Sequence, residues 1–307
     1  MLHGEVKNDL VNSAYRCSLY YEFKTREESD SGRRSTKNVG RASYQYVGKA
    51  VELYCKCLNC GSKILTKSLP KLLTLWFKFT ELSDGPQEPS DTLKKYQNIV
   101  CDHISLHTKK TTTTAWYICI SQLVSRIGHP NSRTLLLIKD ITQKTLEMFP
   151  KQTIWHIAEM LHSSDNARKL SGKQIIQNVV NIFQRHGDRS DDVKMLLQAE
   201  NLFSALIELS VHRPAEKSQK SIIWLAAKTF FGPNFAKFIV PSQSSLSIRL
   251  PSAQLVSDRE GPAYFAGDQE FIESFSSNVI VLTSKERPKI IELTTTHGNV
   301  VKVRSSL

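Results

Sequence analysis

The helical period of the apolar residues between about positions 120 and 183 most constrains what this 307-residue chain can fold into. In ISQLVSRIG, Ile120, Leu123, Val124 and Ile127 fall at i, i+3, i+4 and i+7, which places them on one face of a helix. Gly128 suits a C-terminal cap, and Pro130 prevents continuation. Asn131 or Ser132 can cap a second helix, with Leu135, Ile138, Ile141, Thr145, Leu146 and Phe149 running up to Pro150. TIWHIAEML aligns Ile154, Ile157, Ala158 and Leu161. After a cap at Ser163-Ser164-Asp165, KLSGKQIIQNVVNIF aligns Ile175, Ile176, Val179, Val180 and Phe183. Four helices joined by such short connections pack as antiparallel neighbours. Upstream, YQYVGKAVELYCKCLNCGSKILTKS and LPKLLTLWFKF read as two more helices, split at Leu69-Pro70, because proline fits a first helical turn. The expected fold class is mainly α: an α-solenoid of antiparallel helical hairpins of the TPR or HEAT type, although no strict repeat period fits. The polar runs 24–41 and 83–91 read as a loop and a linker.

After about residue 236 the pattern changes. β-branched and aromatic residues alternate with polar ones in NVIVLTS (278–284), PKIIELTTT (288–296) and NVVKVRSS (299–306). Thr296-His297-Gly298-Asn299 marks a turn between the last two. Extended segments punctuated by Pro241, Pro251 and Pro262 precede them. Three short strands in a meander are expected, in a β-rich unit that reads as incomplete, since such a sheet leaves one apolar face poorly protected.

The formal net charge is +12, but only +1 of it falls from residue 236 onward. The excess lies in Lys24–Arg41, Lys63–Lys71, Lys109–Lys110 and Arg185–Arg189. A basic balance favours acidic partners, so weak nucleic-acid contact is one expectation. No dense stripe with interleaved aromatics forms a stacking platform for bases. The longest apolar region, SIIWLAAKTFFGPNFAKFIV (221–240), is cut by Lys228, Lys237 and Gly232-Pro233, so no membrane span is expected. MLHGEVKNDL lacks the apolar core of a signal peptide, and six cysteines without one read as reduced thiols.

Two groupings invite a metal reading. CKCLNC holds Cys57 and Cys60 at the C-x-x-C spacing of a zinc knuckle, but no second pair follows, and the same spacing on a helix suits buried thiols. His103 and His107 stand four apart in CDHISLH, without the glutamate of a hydrolytic H-E-x-x-H. Packing or solvent is the expected role of His129, His156 and His162. Trp76, Trp116, Trp155 and Trp224 read as core anchors.

The stretch VLTSKER, Val281–Arg287, has the local look of a surface hairpin with a basic tip. Its surroundings resemble the C-terminal region of the ATR-type kinases, members of the phosphatidylinositol-3-kinase-related family. The resemblance is carried by SLPKLLTLWFKF, ISQLVSRIGHPN, EMFPKQTIWHIAEMLHSS with ARKLSGKQII, FIVPSQSSLSIRLPS and FIESFSSNVIVLTSKERPKIIELTTTHGNVVKV, in order along the chain. It implies the end of a FAT helical-repeat domain over 1–182, a helical linker over 183–235 and a truncated kinase N-lobe over 236–307.

By that resemblance Val281, Leu282, Thr283, Ser284, Lys285, Glu286 and Arg287 form the nucleotide phosphate loop, with serine matching at Ser284. Backbone N–H groups at a tight strand–turn–strand can point at phosphate oxygens. The intact family implies transfer of the ATP γ-phosphate to protein serine or threonine with Mg or Mn, in nuclear DNA-damage and replication-stress signalling, alongside an obligate adaptor and checkpoint substrates. The family's phosphate-binding lysine falls near Ser306. Lys302 sits four residues early, about 13 Å along a strand. No aspartate base or metal motif is apparent, so these 307 residues alone are expected to be inactive. The alternatives are a non-enzymatic basic helical scaffold binding protein or nucleic acid, and a lipid-kinase relative, which the LTLW and QLVSRIGHP blocks disfavour.

Overall fold

In a computed structural model the described residues are 39–58, 62–83, 90–187, 189–214, 216, 218–241, 250, 264–265 and 269–305, with isolated positions between 9 and 23. Residues 24–38 of the expected loop 24–41, linker residues 84–89, Cys60, Pro251, Pro262 and Ser306 lie outside them, and residues 39–41 are not loop but the start of a helix. The chain divides into two compact units, Met1–Thr145 with Ile248–Tyr264, and Leu146–Ser247 with Phe265–Leu307.

The first unit contains α1 (Val39–Lys56), α2 (Ser62–Glu81), α3 (Asp91–Thr108), the short α4 (Thr113–Tyr117) and α5 (Ile120–Ser125), and most of α6 (Ser132–Met148). α1 packs on both α2 and α3. Its buried face (Val47, Ala50, Val51, Tyr54) contributes to a core with Leu69, Leu72, Leu73 and Trp76 of α2 and Val100 and Ile104 of α3. Ser90 caps α3 by accepting from the Leu93 amide (3.3 Å). Gln97 of α3 donates to the Phe79 and Leu82 carbonyls (3.1 Å each), satisfying acceptors that the end of α2 leaves open. Ile120, Leu123 and Val124 of α5 and Ile127 just beyond it are all buried, but α5 ends at Ser125 with Arg126 at its C-terminal cap, not at the expected Gly128. Asn131, of the two candidate caps, accepts from the Thr134 amide (3.0 Å).

The expected split at Pro70 is absent. Pro70 lies inside one continuous helix, and the chain breaks earlier, after Lys56. A proline inside a helix deletes one donor and crowds the preceding turn. Pro70 sits on the exposed side, where water can serve the backbone, while Leu69, Leu72 and Leu73 keep their buried stripe. Burial of the stripe outweighs the local cost.

His129 is a packing histidine. It is 5% exposed, accepts from the Asn131 amide at Nδ1 (3.1 Å), and therefore carries its proton on Nε2, facing the Phe77 carbonyl at 3.3 Å. Burial holds it neutral, below the ordinary histidine value, against a smaller opposite pull from that carbonyl and Glu81.

The second unit begins with α7 (Pro150–Leu161), α8 (Asn166–His186) and α9 (Ser190–Val211), each packed on the other two. Pro150 opens α7, Asp165 caps α8 by accepting from the Ala167 amide (2.8 Å), and Gly187 closes it at φ 75°. Gly172 of α8 lies where a Cβ would stand 3.1 Å from Met160 Cβ and 3.4 Å from Leu161 Cδ2 of α7. The two helices approach through that gap.

Five antiparallel strands follow: β1 (Ser221–Ile223), β2 (Ile272–Phe275), β3 (Asn278–Val281), β4 (Lys289–Thr295) and β5 (Val300–Ser305), with a 3₁₀ turn at Leu225–Thr229. Two more strands appear than the three expected. β3 and β2 lie end to end along one edge of β4, pairing with Lys289–Ile290 and Leu293–Thr295, and β5 lies along the other. The meander thus stands, with a first strand interrupted at Ser276-Ser277. β1, inside the stretch expected to be a helical linker, pairs with β3. Three residues with only Ile222 buried are too short for a periodicity signal.

Aromatic side chains fasten this sheet to the helices. Trp155 of α7 and Phe203 of α9 stand 5.2 Å apart by ring centroids. Both approach Phe238, which stacks on Phe235 at 5.6 Å. Phe235 and Phe230 reach Phe275 of β2, which meets Trp224 at 5.4 Å. Trp155 Nε1 also donates to the Ile239 carbonyl (3.1 Å).

Two outcomes are expected in urea unfolding. Gly172→Ala should lower stability by about 1 kcal/mol, because overpacking against the Met160 Cβ exceeds the roughly 1 kcal/mol helix-propensity gain. A gain in stability would mean that α7 and α8 are further apart. For His129, whose folded pKa lies below the ordinary 6.5, the stabilising contribution is complete above 6.5 and lost as pH falls through the lowered value. The midpoint should therefore hold at neutral pH and fall with acid, less steeply in His129→Gln; identical slopes in the two proteins would contradict this.

Candidate functional site

Val281 and Lys289 are paired at the base of the hairpin, and the Leu282 amide donates to the Pro288 carbonyl (2.9 Å). The Arg287 amide donates to the Ser284 carbonyl (2.9 Å), closing a tight turn. Thr283, Ser284, Lys285 and Glu286 are exposed at the tip. Among the described residues the Ser284, Lys285 and Glu286 amides have no backbone acceptor. The tip thus offers N–H groups without a backbone acceptor, two hydroxyls and the Lys285 ammonium, opposed by the Glu286 carboxylate. Such a set can hold a phosphate-like anion.

Arg287 contributes its backbone to the turn but not its guanidinium to that set. Its guanidinium turns away from the tip and donates to the Gln219 carbonyl (2.9 Å) and the Glu216 carbonyl (3.3 and 3.4 Å). Its φ of 47° lies in the left-handed region, strained for a residue with a Cβ.

Lys289 is a residue that sequence reasoning missed. It is 2% exposed, and its ammonium donates to the Ser210 carbonyl in the last turn of α9. Burial, then Arg287 and Arg213, hold its pKa below the ordinary lysine range. The helix terminus, with its partial negative charge, stabilises the cation there. The signal was present in the alternation of PKIIELTTT, since 289, 291, 293 and 295 share the buried face.

Lys302 lies opposite Glu292 in the β4–β5 register, at 3.1 Å. It sits on the outward face and is paired across strands, an interaction of about 0–1 kcal/mol at such exposure. A cavity of about 490 Å³ elsewhere in the second unit is lined by Asp191, Lys194, Phe231, Lys237, Glu273 and Thr296, among others, and by none of residues 281–287.

The Cys57–Cys60 grouping lies partly outside the described residues, because Cys60 does. Among the described residues no group of three or more His, Cys, Asp or Glu side chains converges. Cys57 lies just past the end of α1, not on a helix as expected, with its thiol on the Leu53 carbonyl (3.2 Å). Cys101 is buried against Thr134, and the thiols of Cys55 and Cys119 are pushed up by burial. Trp76, Trp116 and Trp224 are buried as core anchors.

Residues 99–203 match the family described as serine/threonine-protein kinase ATR-like, HEAT repeats. Over 93% of its length the chain is 30% identical to the serine/threonine-protein kinase ATR of Arabidopsis thaliana. It is 26% identical to the serine/threonine-protein kinase MEC1 of Candida albicans over 85%, and 26% to the protein kinase rad3 of Schizosaccharomyces pombe over 84%. It spans 11% of the length of each of these relatives. Among solved structures, the FAT and kinase domain of CtTel1 superposes with a TM-score of 0.57 and 15% identity, over 96% of this chain and 20% of that one. That likeness concerns the fold alone. Residues 99–203 thus carry the HEAT-type helical repeats of the ATR-like serine/threonine-protein kinases, and a small antiparallel sheet follows them in the chain.

Proposed function

We propose that this segment joins the end of the FAT helical repeats of an ATR-like checkpoint kinase to its N-lobe, with 1–182, 183–235 and 236–307 as the three parts. On this reading Val281–Arg287 is the nucleotide phosphate loop. The intact protein acts in the nucleus, with an adaptor protein, and transfers the ATP γ-phosphate to serine or threonine of checkpoint substrates. The observation that carries the reading is the hairpin tip: exposed amides of Ser284–Glu286 beside the Thr283 and Ser284 hydroxyls and Lys285, at the end of a sheet anchored to helices. These groups suit the oxygens of a triphosphate.

Within the loop the residues divide the work. The amides of Ser284–Glu286 donate to phosphate oxygens, Lys285 adds a charge, and Val281 and Leu282 hold the strand that aims the turn. ATP supplies the transferable phosphoryl group when bound. No residue of this chain is assigned as base or metal ligand, so the segment by itself is expected to bind phosphates weakly and to transfer none.

Titration of the ¹⁵N-labelled chain with inorganic triphosphate tests the reading. The expected result is millimolar binding, with shifts concentrated at Thr283–Glu286, weakened by salt and by Ser284→Asp. Absence of shifts there at several millimolar triphosphate, or phosphate transfer to a protein substrate by the segment alone, would contradict it.

A further inference from the structure

The cations around the hairpin divide between two tasks. Lys285 faces out at the tip, whereas Arg287 and Lys289 point back toward the segment between α9 and β1. Lys289 holds the Ser210 carbonyl, and Arg287 holds those of Glu216 and Gln219. The same segment then runs alongside the hairpin, because the Val281 amide donates to the Lys220 carbonyl (2.8 Å) and β1 pairs with β3. Both ends of the α9–β1 connection are thus bonded to residues flanking the tip, at sequence separations of 68 to 79 residues.

A surface turn needs neither feature. A buried lysine is costly unless its ammonium is satisfied, and a left-handed arginine is strained where glycine is not. Both occur within three residues, and both side chains end on backbone carbonyls, that of Ser210 in the last turn of α9 and those of Glu216 and Gln219 in the connection after it. Carbonyl acceptors make the contact independent of which side chains that connection carries.

We propose that Arg287 and Lys289 are positioning residues, which lock the hairpin tip to the α9–β1 connection so that displacement of residues 210–219 is passed to the groups that meet phosphate. The functional half rests on the reading of 281–287 as a phosphate loop; the mechanical half does not. Any partner or modification that shifts the end of α9 then alters phosphate affinity without touching the tip.

The test uses the full chain and its Arg287→Lys, Arg287→Gly, Lys289→Met and Lys289→Arg variants, with amide exchange of the hairpin and triphosphate titration as readouts. Arg287→Gly removes the backbone strain, so a residue that merely turned the chain would leave exchange unchanged or slower. A clamp predicts exchange at Leu282 and at the backbone amide of position 287 faster by about tenfold or more, from the loss of charge-assisted bonds. Amides of Ile291 and Leu293 should keep wild-type rates. Arg287→Lys keeps the charge but loses the fork, and should weaken triphosphate binding several-fold; Lys289→Arg should restore what Lys289→Met loses. Unchanged hairpin exchange in both Arg287→Gly and Lys289→Met overturns the proposal. Faster exchange in the variants, with no triphosphate response in the wild type, overturns the phosphate-loop reading and reduces the two residues to a structural clamp.

Discussion

The second unit depends on one run of aromatic contacts, from Trp155 and Phe203 through Phe238, Phe235 and Phe230 to Phe275 and Trp224. A five-stranded sheet with an open outward face cannot protect itself, and a three-helix layer has a face to cover. Aromatic pairs contribute about 0.5–1.5 kcal/mol each beyond the area they bury. Here they also set geometry, because closely packed rings, edge-to-face at Phe238 and Phe275 and stacked between Phe235 and Phe238, tolerate little sliding. The strand β2 is pinned through Phe275, and the segment before it through Phe238 and the Ile239 carbonyl bonded to Trp155. Everything further along the sheet, the hairpin included, is placed relative to that anchor.

Electrostatics then refine what packing has positioned. The α9 terminus presents carbonyls with no helical donor, and Lys289 satisfies one from the inward face of β4. Arg287 donates to the two carbonyls beyond it, of which that of Glu216 also accepts from the Gln219 amide. Cations near a proposed anion site thus serve the scaffold first, and the tip keeps backbone amides and a single lysine. On the proposed function, a loop built this way meets phosphate by shape and dipoles more than by net charge.

Much of the helical layer was legible because burial and period coincide. Ile120, Leu123, Val124 and Ile127 are core residues, and Asn131 and Asp165 stand at helix starts where capping chemistry places them. Pro70 misled because local backbone rules count a lost donor but not the stripe of leucines on the opposite side. β1 was invisible because three residues carry no period, and its existence depends on an edge of β3 offered from 55 or more residues away. The hairpin itself was legible from alternation and turn residues. The direction of Arg287 was not, since nothing local distinguishes a guanidinium in water from one seated on carbonyls 68 residues upstream.

Sheet and helices of the second unit, on this view, form one cooperative body through the aromatic run. Native-state amide exchange of Phe238→Ala tests that claim most directly. Loss of a buried phenyl costs about 3–5 kcal/mol, and amides of β4 and of α9 should lose protection together and by similar amounts. If α9 kept its original protection while β4 opened alone, the sheet would be an independent appendage and the claim would fail.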